Sequence, residues 1–206
     1  MKKGLAVLVL LIVAFCVYWF MFRKKSGPSN DIKPEPIALK THSDGFNTSV
    51  NNVVNAYLGM KDAFIDSDTT KVKQKANEFI HMLDSIHLDE LKNDKDVIIV
   101  SAKGTISDIR ANAVSLVSQT DITEMRQDFR MVTEMMYPSF FKVINYEGPK
   151  LYLQHCPMAF GEGNGADWIS NNTEIVNPYL GKKMPHCGEV IDTIKAAEPK
   201  DSLKAP

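Results

Sequence analysis

A mainly α fold is predicted for this 206-residue chain: an up-down four-helix bundle, preceded by one transmembrane helix and followed by an irregular loop region in which one small β-hairpin fits. Three observations predict it. An uncharged apolar run opens the chain. Four segments then place apolar residues at alternating steps of three and four. Beyond Glu147-Gly148-Pro149 that periodicity stops, and glycine and proline crowd the sequence.

The opening run, Gly4 to Phe22, is 19 residues long and almost wholly aliphatic or aromatic. As a helix it spans roughly 28 Å, close to the ~30 Å hydrocarbon core of a bilayer. A cleaved secretory signal is shorter and ends in small residues, whereas this run ends in Tyr18-Trp19-Phe20-Met21-Phe22 and then Arg23-Lys24-Lys25. Residues 1–25 therefore read as a retained membrane anchor, with Tyr18 and Trp19 as interfacial aromatics. Phe15 is too bulky to precede a lipid-accepting cysteine, so Cys16 reads as a small apolar residue of that helix. Lys2, Lys3 and the amino terminus balance the basic trio beyond the run, and charge alone does not orient it. Residues 26–46, with Gly27, Pro28, Pro34 and Pro36, form an extended tether.

Residues 47–145 carry the four helices. Val50, Val53, Val54, Tyr57, Leu58, Phe64 and Ile65 share the first stripe, after caps expected at Asn47 to Ser49. Val72, Ala76, Phe79, Leu83 and Ile86 form the second, capped by Asp68. Ile99, Ala102, Ile106, Ile109, Ala113 and Leu116 form the third. Ile122, Met125, Phe129, Val132 and Met136 form the fourth, opened by Asp121 with Glu124 three residues on. Each stripe must be buried against another helix, and the short links at 66–70 and 118–121 make neighbours antiparallel. Met125 and Met136 lie on the fourth stripe and read as core. Pro138 kinks or restarts that helix. His81 and His87 read as structural or solvated, and His42 as part of the tether.

Residues 146–194 form the tail packed on the bundle, and 195–206 a disordered end. Leu151, Tyr152 and Leu153 suggest a strand, and Gly161 to Gly165 a reversal. Two tetrapeptides mirror each other here: His155-Cys156-Pro157-Met158 and Met184-Pro185-His186-Cys187. Thiolate and thioether together favour soft ions, above all Cu(I), with Ag(I) close in chemistry. In an extended segment Cys156 and Met158 project the same way, and in a turn Met184 and Cys187 converge. The candidate metal ligands are Cys156, Met158, Met184 and Cys187, with His155 or His186 as a fourth ligand or an outer contact. Zn(II) through two Cys and two His is the less natural arrangement, because adjacent His-Cys pairs would have to chelate from both sides of the backbone. Trp168 and Tyr179 are large enough to exclude water from such a loop.

Other readings compete. A Cys156–Cys187 disulfide would close a loop of about 30 residues for roughly 3–4 kcal/mol, leaving a structural or interaction module of the cell envelope with no metal. The disulfide and the metal site can also alternate with redox state. An enzyme is not expected: no nucleophile elbow, phosphate loop or dinucleotide fingerprint occurs, and the soluble cysteines are 31 apart rather than in C-x-x-C. Five of the 24 basic residues lie in the first 25 positions, leaving 19 against 25 acidic ones, which argues against nucleic acid as a partner.

The tail resembles a bacterial domain of unknown function, found alone and at the carboxyl end of periplasmic adaptor subunits of heavy-metal efflux pumps. Cys156-Pro157-Met158-Ala159-Phe160, Ala166, Trp168, Ser170, Ile175, Asn177-Pro178-Tyr179, Gly181, Met184 and Cys187-Gly188 carry the likeness. Tyr57-Leu58, Lys61-Asp62-Ala63, Arg126 and Phe129 extend it more loosely, over about residues 50–192. The resemblance implies an extracytoplasmic domain that binds copper, silver or a related soft ion and assists its export or buffering. It places the chain as a single-pass inner-membrane protein with its carboxyl-terminal domain in the periplasm, near an efflux pump or another envelope protein. The chain has no room for the lipoyl-like, hairpin and barrel portions of the adaptors, so a stand-alone anchored binder is expected.

Overall fold

The computed structural model describes residues 42–93 and 96–194. The expected anchor, most of the tether and the expected disordered end lie outside the described residues. Among the described residues no helix is long and apolar enough to cross a membrane.

Four helices carry the fold: α1 Asp44–Ala63, α2 Thr69–Asp84, α3 Asp96–Ser118 and α4 Ile122–Glu134. Consecutive helices pack on one another in order. Asp68 caps α2 through the N–H groups of Thr70 and Lys71, and Asp121 caps α4 through those of Thr123 and Glu124. Those donors hold the Asp121 carboxyl below the usual carboxylate range.

The start of α1 corrects the sequence expectation. Ser43, not a residue at 47–49, is its cap, with the hydroxyl accepting from the Phe46 N–H at 3.0 Å. The reason is Phe46: it is fully buried, and burying it draws one more turn into the helix. His42 is likewise packed rather than part of a tether, its ring 4.4 Å from that of Phe46 and its Nε2 on the Ile144 carbonyl. On α3 the buried residue of the first turn is Ile98, with Ile99 only partly covered.

α1 and α4 face each other through aromatic rings. Tyr57 stacks on Phe129 at 5.3 Å, and Phe64 lies 4.9 Å from the same ring. At Pro138 the backbone leaves the helix, with Tyr137 extended at φ −132° and ψ 130°, then re-enters it for the turn Phe141–Val143.

The tail holds more sheet than a hairpin. Strands β1 Leu151–Cys156, β2 Ala166–Ser170 and β3 Glu189–Ile194 form an antiparallel sheet in the order β2-β1-β3. β2 packs against α4 and α1. The β1–β2 reversal uses Gly161 at φ 104° and Gly163 at φ 75°. β3 went unforeseen because its first four residues are exposed, so no alternating pattern marks it.

Candidate metal centre

Cys156 ends central strand β1, and Cys187 stands two residues before edge strand β3. The β1–β3 register pairs His155 with Glu189, which brings residues 31 apart in sequence to one end of the sheet. Their sulfur atoms lie 3.1 Å apart, both as free thiols. Cys156 is fully buried and Cys187 partly exposed. The sulfur of Cys156 pushes the Cys187 thiol above its ordinary value, and desolvation adds to the shift.

The approach depends on residues other than the two cysteines. Gly188 lies at φ 141°, and an added Cβ would stand 2.6 Å from the His155 carbonyl oxygen and 2.8 Å from Trp168 Cη2. Only glycine lets the chain cross there. Asn177 is fully buried, and its amide donates to the Cys187 carbonyl at 2.6 Å. Its side-chain oxygen accepts from the N–H groups of Tyr179 and Leu180, while its own N–H donates to Pro185. One side chain thus fixes both ends of the loop that presents Cys187.

The loop is tied in turn to the helices. Arg126 on α4 donates to the Pro178 carbonyl, the Phe64 carbonyl and Ser67 Oγ. Gly181 at φ 52° passes so close to the end of α1 that a Cβ would meet the Ile65 carbonyl at 2.7 Å. The Tyr179 hydroxyl donates to the Asp167 carbonyl, and its ring packs edge-on against Trp168. Trp168 and Tyr179 are both buried, at 0% and 2% exposure. The Ile169 N–H donates to Tyr57 Oη, which lies 2.7 Å from Thr133 Oγ1, so β2 is pinned to α1 and α4 by a buried chain of hydroxyls. Burial pushes the Tyr57 and Tyr179 phenols well up, so both stay protonated.

Met158 and Met184, the thioethers of the two mirrored tetrapeptides, are 38% and 46% exposed on the turns beside the thiols. The two histidines have other partners. His155 Nδ1 lies 2.6 Å from Asp167 Oδ1 on the paired position of β2, and His186 Nδ1 lies 2.9 Å from the Ile175 carbonyl oxygen. Among the described residues no group of three or more His, Cys, Asp and Glu side chains is placed to hold a metal ion. Soft-ion chemistry does not require one, since two thiolates more than offset the charge of a monovalent cation and thioethers add uncharged contacts.

Sequence reasoning found the sulfur atoms and missed their supports. Asn177, Gly181 and Gly188 stood out as turn formers and through the family likeness, Arg126 through the likeness alone, and Gln154 not at all. Buried Gln154 donates to the carbonyls of Asn172 and Glu174 and so fixes the β2-to-loop crossing. Gln154 directly follows the apolar run Leu151-Tyr152-Leu153 and falls on the same strand, and that was the available signal.

No curated protein and no solved structure matches the chain. Residues 53–145, from within α1 to the end of the last helical turn, match the model of a family described as a protein of unknown function (DUF3347), which covers the helices and not the thiol-bearing tail.

Proposed function

We propose that this protein is a membrane-anchored periplasmic binder of a soft metal ion, Cu(I) foremost and Ag(I) next, serving copper or heavy-metal homeostasis or efflux. The observation that carries the reading is the meeting of two free thiols, 3.1 Å apart, one at the end of β1 and one on the loop that leads into β3. Cys156 and Cys187 supply the negative charge, and Met158 and Met184 lie on the flanking turns as neutral soft donors. The buried Cys156 retains the ion, and the more exposed Cys187 side admits it. A metal bound at ~2.3 Å by both sulfurs in tetrahedral geometry separates them by roughly 3.8 Å, so capture requires Cys187 to turn outward by a fraction of an ångström. Anchoring and periplasmic placement rest on the apolar run Gly4 to Phe22 and on the likeness to efflux adaptors, which also makes an efflux pump or another envelope protein the expected partner.

The second reading is an envelope interaction module with Cys156 and Cys187 oxidised. It is favoured by the other partners of His155 and His186, which leave no group of three or more His, Cys, Asp and Glu among the described residues placed to hold a metal ion. Titration of the reduced full chain with Cu(I) against a chromophoric chelator separates the two. One tightly held ion per chain, lost in the C156S/C187S double variant, is expected. Equal affinity in wild type and double variant rejects the soft-ion reading.

A further inference from the structure

We infer that Cys156 and Cys187 are an ordered thiol–disulfide exchange pair, in which Cys187 reacts with an external disulfide and Cys156 resolves the adduct into an internal disulfide. As a regulation of the proposed site it rests on the soft-ion reading, because the two sulfurs cannot be a disulfide and thiolate ligands at once. The exchange itself needs no metal. Three features carry it. The pair is asymmetric: Cys156 is fully buried in the central strand, while Cys187 is partly exposed beside the edge strand. The sulfurs stand 3.1 Å apart, about 1 Å beyond the bonded separation of ~2.05 Å. The exposed member sits on the loop Met184–Gly188, outside regular sheet, where a small movement costs no ladder hydrogen bond. The sequence separation that argues against a C-x-x-C oxidoreductase is overcome by the β1–β3 pairing, which puts both sulfurs at one end of the sheet.

The chemistry balances in two displacements. Cys187 loses its proton to solvent and attacks a disulfide R–S–S–R; the Cys187–S bond forms, the R–S–S–R bond breaks and one thiolate leaves. Cys156 then loses its proton and attacks Cys187 Sγ; the internal disulfide forms, the mixed disulfide breaks and a second thiolate leaves. Two cysteine thiols are oxidised, one external disulfide is reduced to two thiols, and the two protons end on the departing sulfurs. Excess external thiol reverses both steps. In the oxidised state neither sulfur carries charge for a cation, so oxidation ejects bound ion and reduction restores the site.

The experiment uses the reduced full chain, free of metal, with glutathione disulfide as the oxidant and the masses of the Cys156 and Cys187 peptides as the readout, so that Cys16 is scored apart. Wild type should lose two hydrogens without accumulating an adduct. Cys156→Ser should stop at one glutathione adduct on Cys187, whereas Cys156 in the Cys187→Ser variant should react at least about tenfold more slowly, because it is buried. Timed alkylation of wild type with peptide mapping gives the same order without relying on a variant's folding: Cys187 is expected before Cys156. Equal rates for the two cysteines, a reversed order, or a wild type that halts at the mixed adduct would overturn the proposal. The order is read without metal, so its failure is distinguishable from failure of the soft-ion reading.

Discussion

In the four helices the buried side chains are almost all apolar and recur with helical spacing, with Ser49, Lys61 and Thr133 the polar exceptions. In residues 151–194 the chain is fixed differently, by buried Gln154 and Asn177 bonded to backbone groups and by glycines at points where two chain segments nearly touch. The helical half is held by area removed from water, which is non-directional and tolerates changes of shape. The tail shares that core through Trp168, Ile169 and Tyr179, but its path is set by directional bonds, whose loss leaves a buried polar group unpaired. Rigidity at the sulfur atoms therefore depends on a few atoms in the tail, whereas overall stability depends on many in the bundle. Stability and thiol geometry should separate by region.

The largest effect on stability is expected in the bundle. Phe79→Ala removes a fully buried ring and should cost about 3–5 kcal/mol in urea unfolding. The relative reactivity of the two thiols in the folded state should not change. Asn177→Ala is expected to cost less, about 2 kcal/mol, yet to disturb the site more. It leaves the Cys187 carbonyl and two N–H groups without their partner, and native-state alkylation of Cys187 should rise about tenfold. If Phe79→Ala altered the thiols as much as Asn177→Ala, the contrast between the regions would fail.

Smaller effects sharpen it. Replacing both Met158 and Met184 by leucine keeps volume at exposed positions, so stability should hold within about 0.5 kcal/mol. Cu(I) affinity should fall by about tenfold, since the soft sulfur donors are gone while the thiols remain. The smallest expected signal is in pH. Because the neighbouring sulfur raises the Cys187 thiol, its alkylation should set in at higher pH than that of an ordinary cysteine, and Cys156→Ser should return it toward the ordinary range. The sign for stability follows. A folded state that holds the proton more tightly gains its full contribution below the unfolded pKa and loses it as pH rises through the folded value.

Physics that acts locally was legible in the sequence. Asp68 and Asp121 were readable as caps because a cap works through the next three residues, and the stripes from Val72 to Leu83 and from Ala102 to Leu116 follow from helical period alone. Ser43 was not, because what extends α1 is the burial of Phe46, a tertiary event. β3 was not, because its pairing depends on Gly188 crossing the His155 carbonyl rather than on any pattern of its own. At the site, the mirrored Cys and Met residues were legible from composition. That His155 would bind Asp167 and His186 a carbonyl was not, since both partners are set by cross-strand register and loop path.

X-ray absorption at the copper edge of the reduced, Cu(I)-loaded full chain tests most directly whether sulfur atoms from the end of β1 and the loop before β3 share one cation. The account predicts a first shell of sulfur alone that loses a scatterer in Cys187→Ser. A shell of nitrogen and oxygen, unchanged by that substitution, would contradict it.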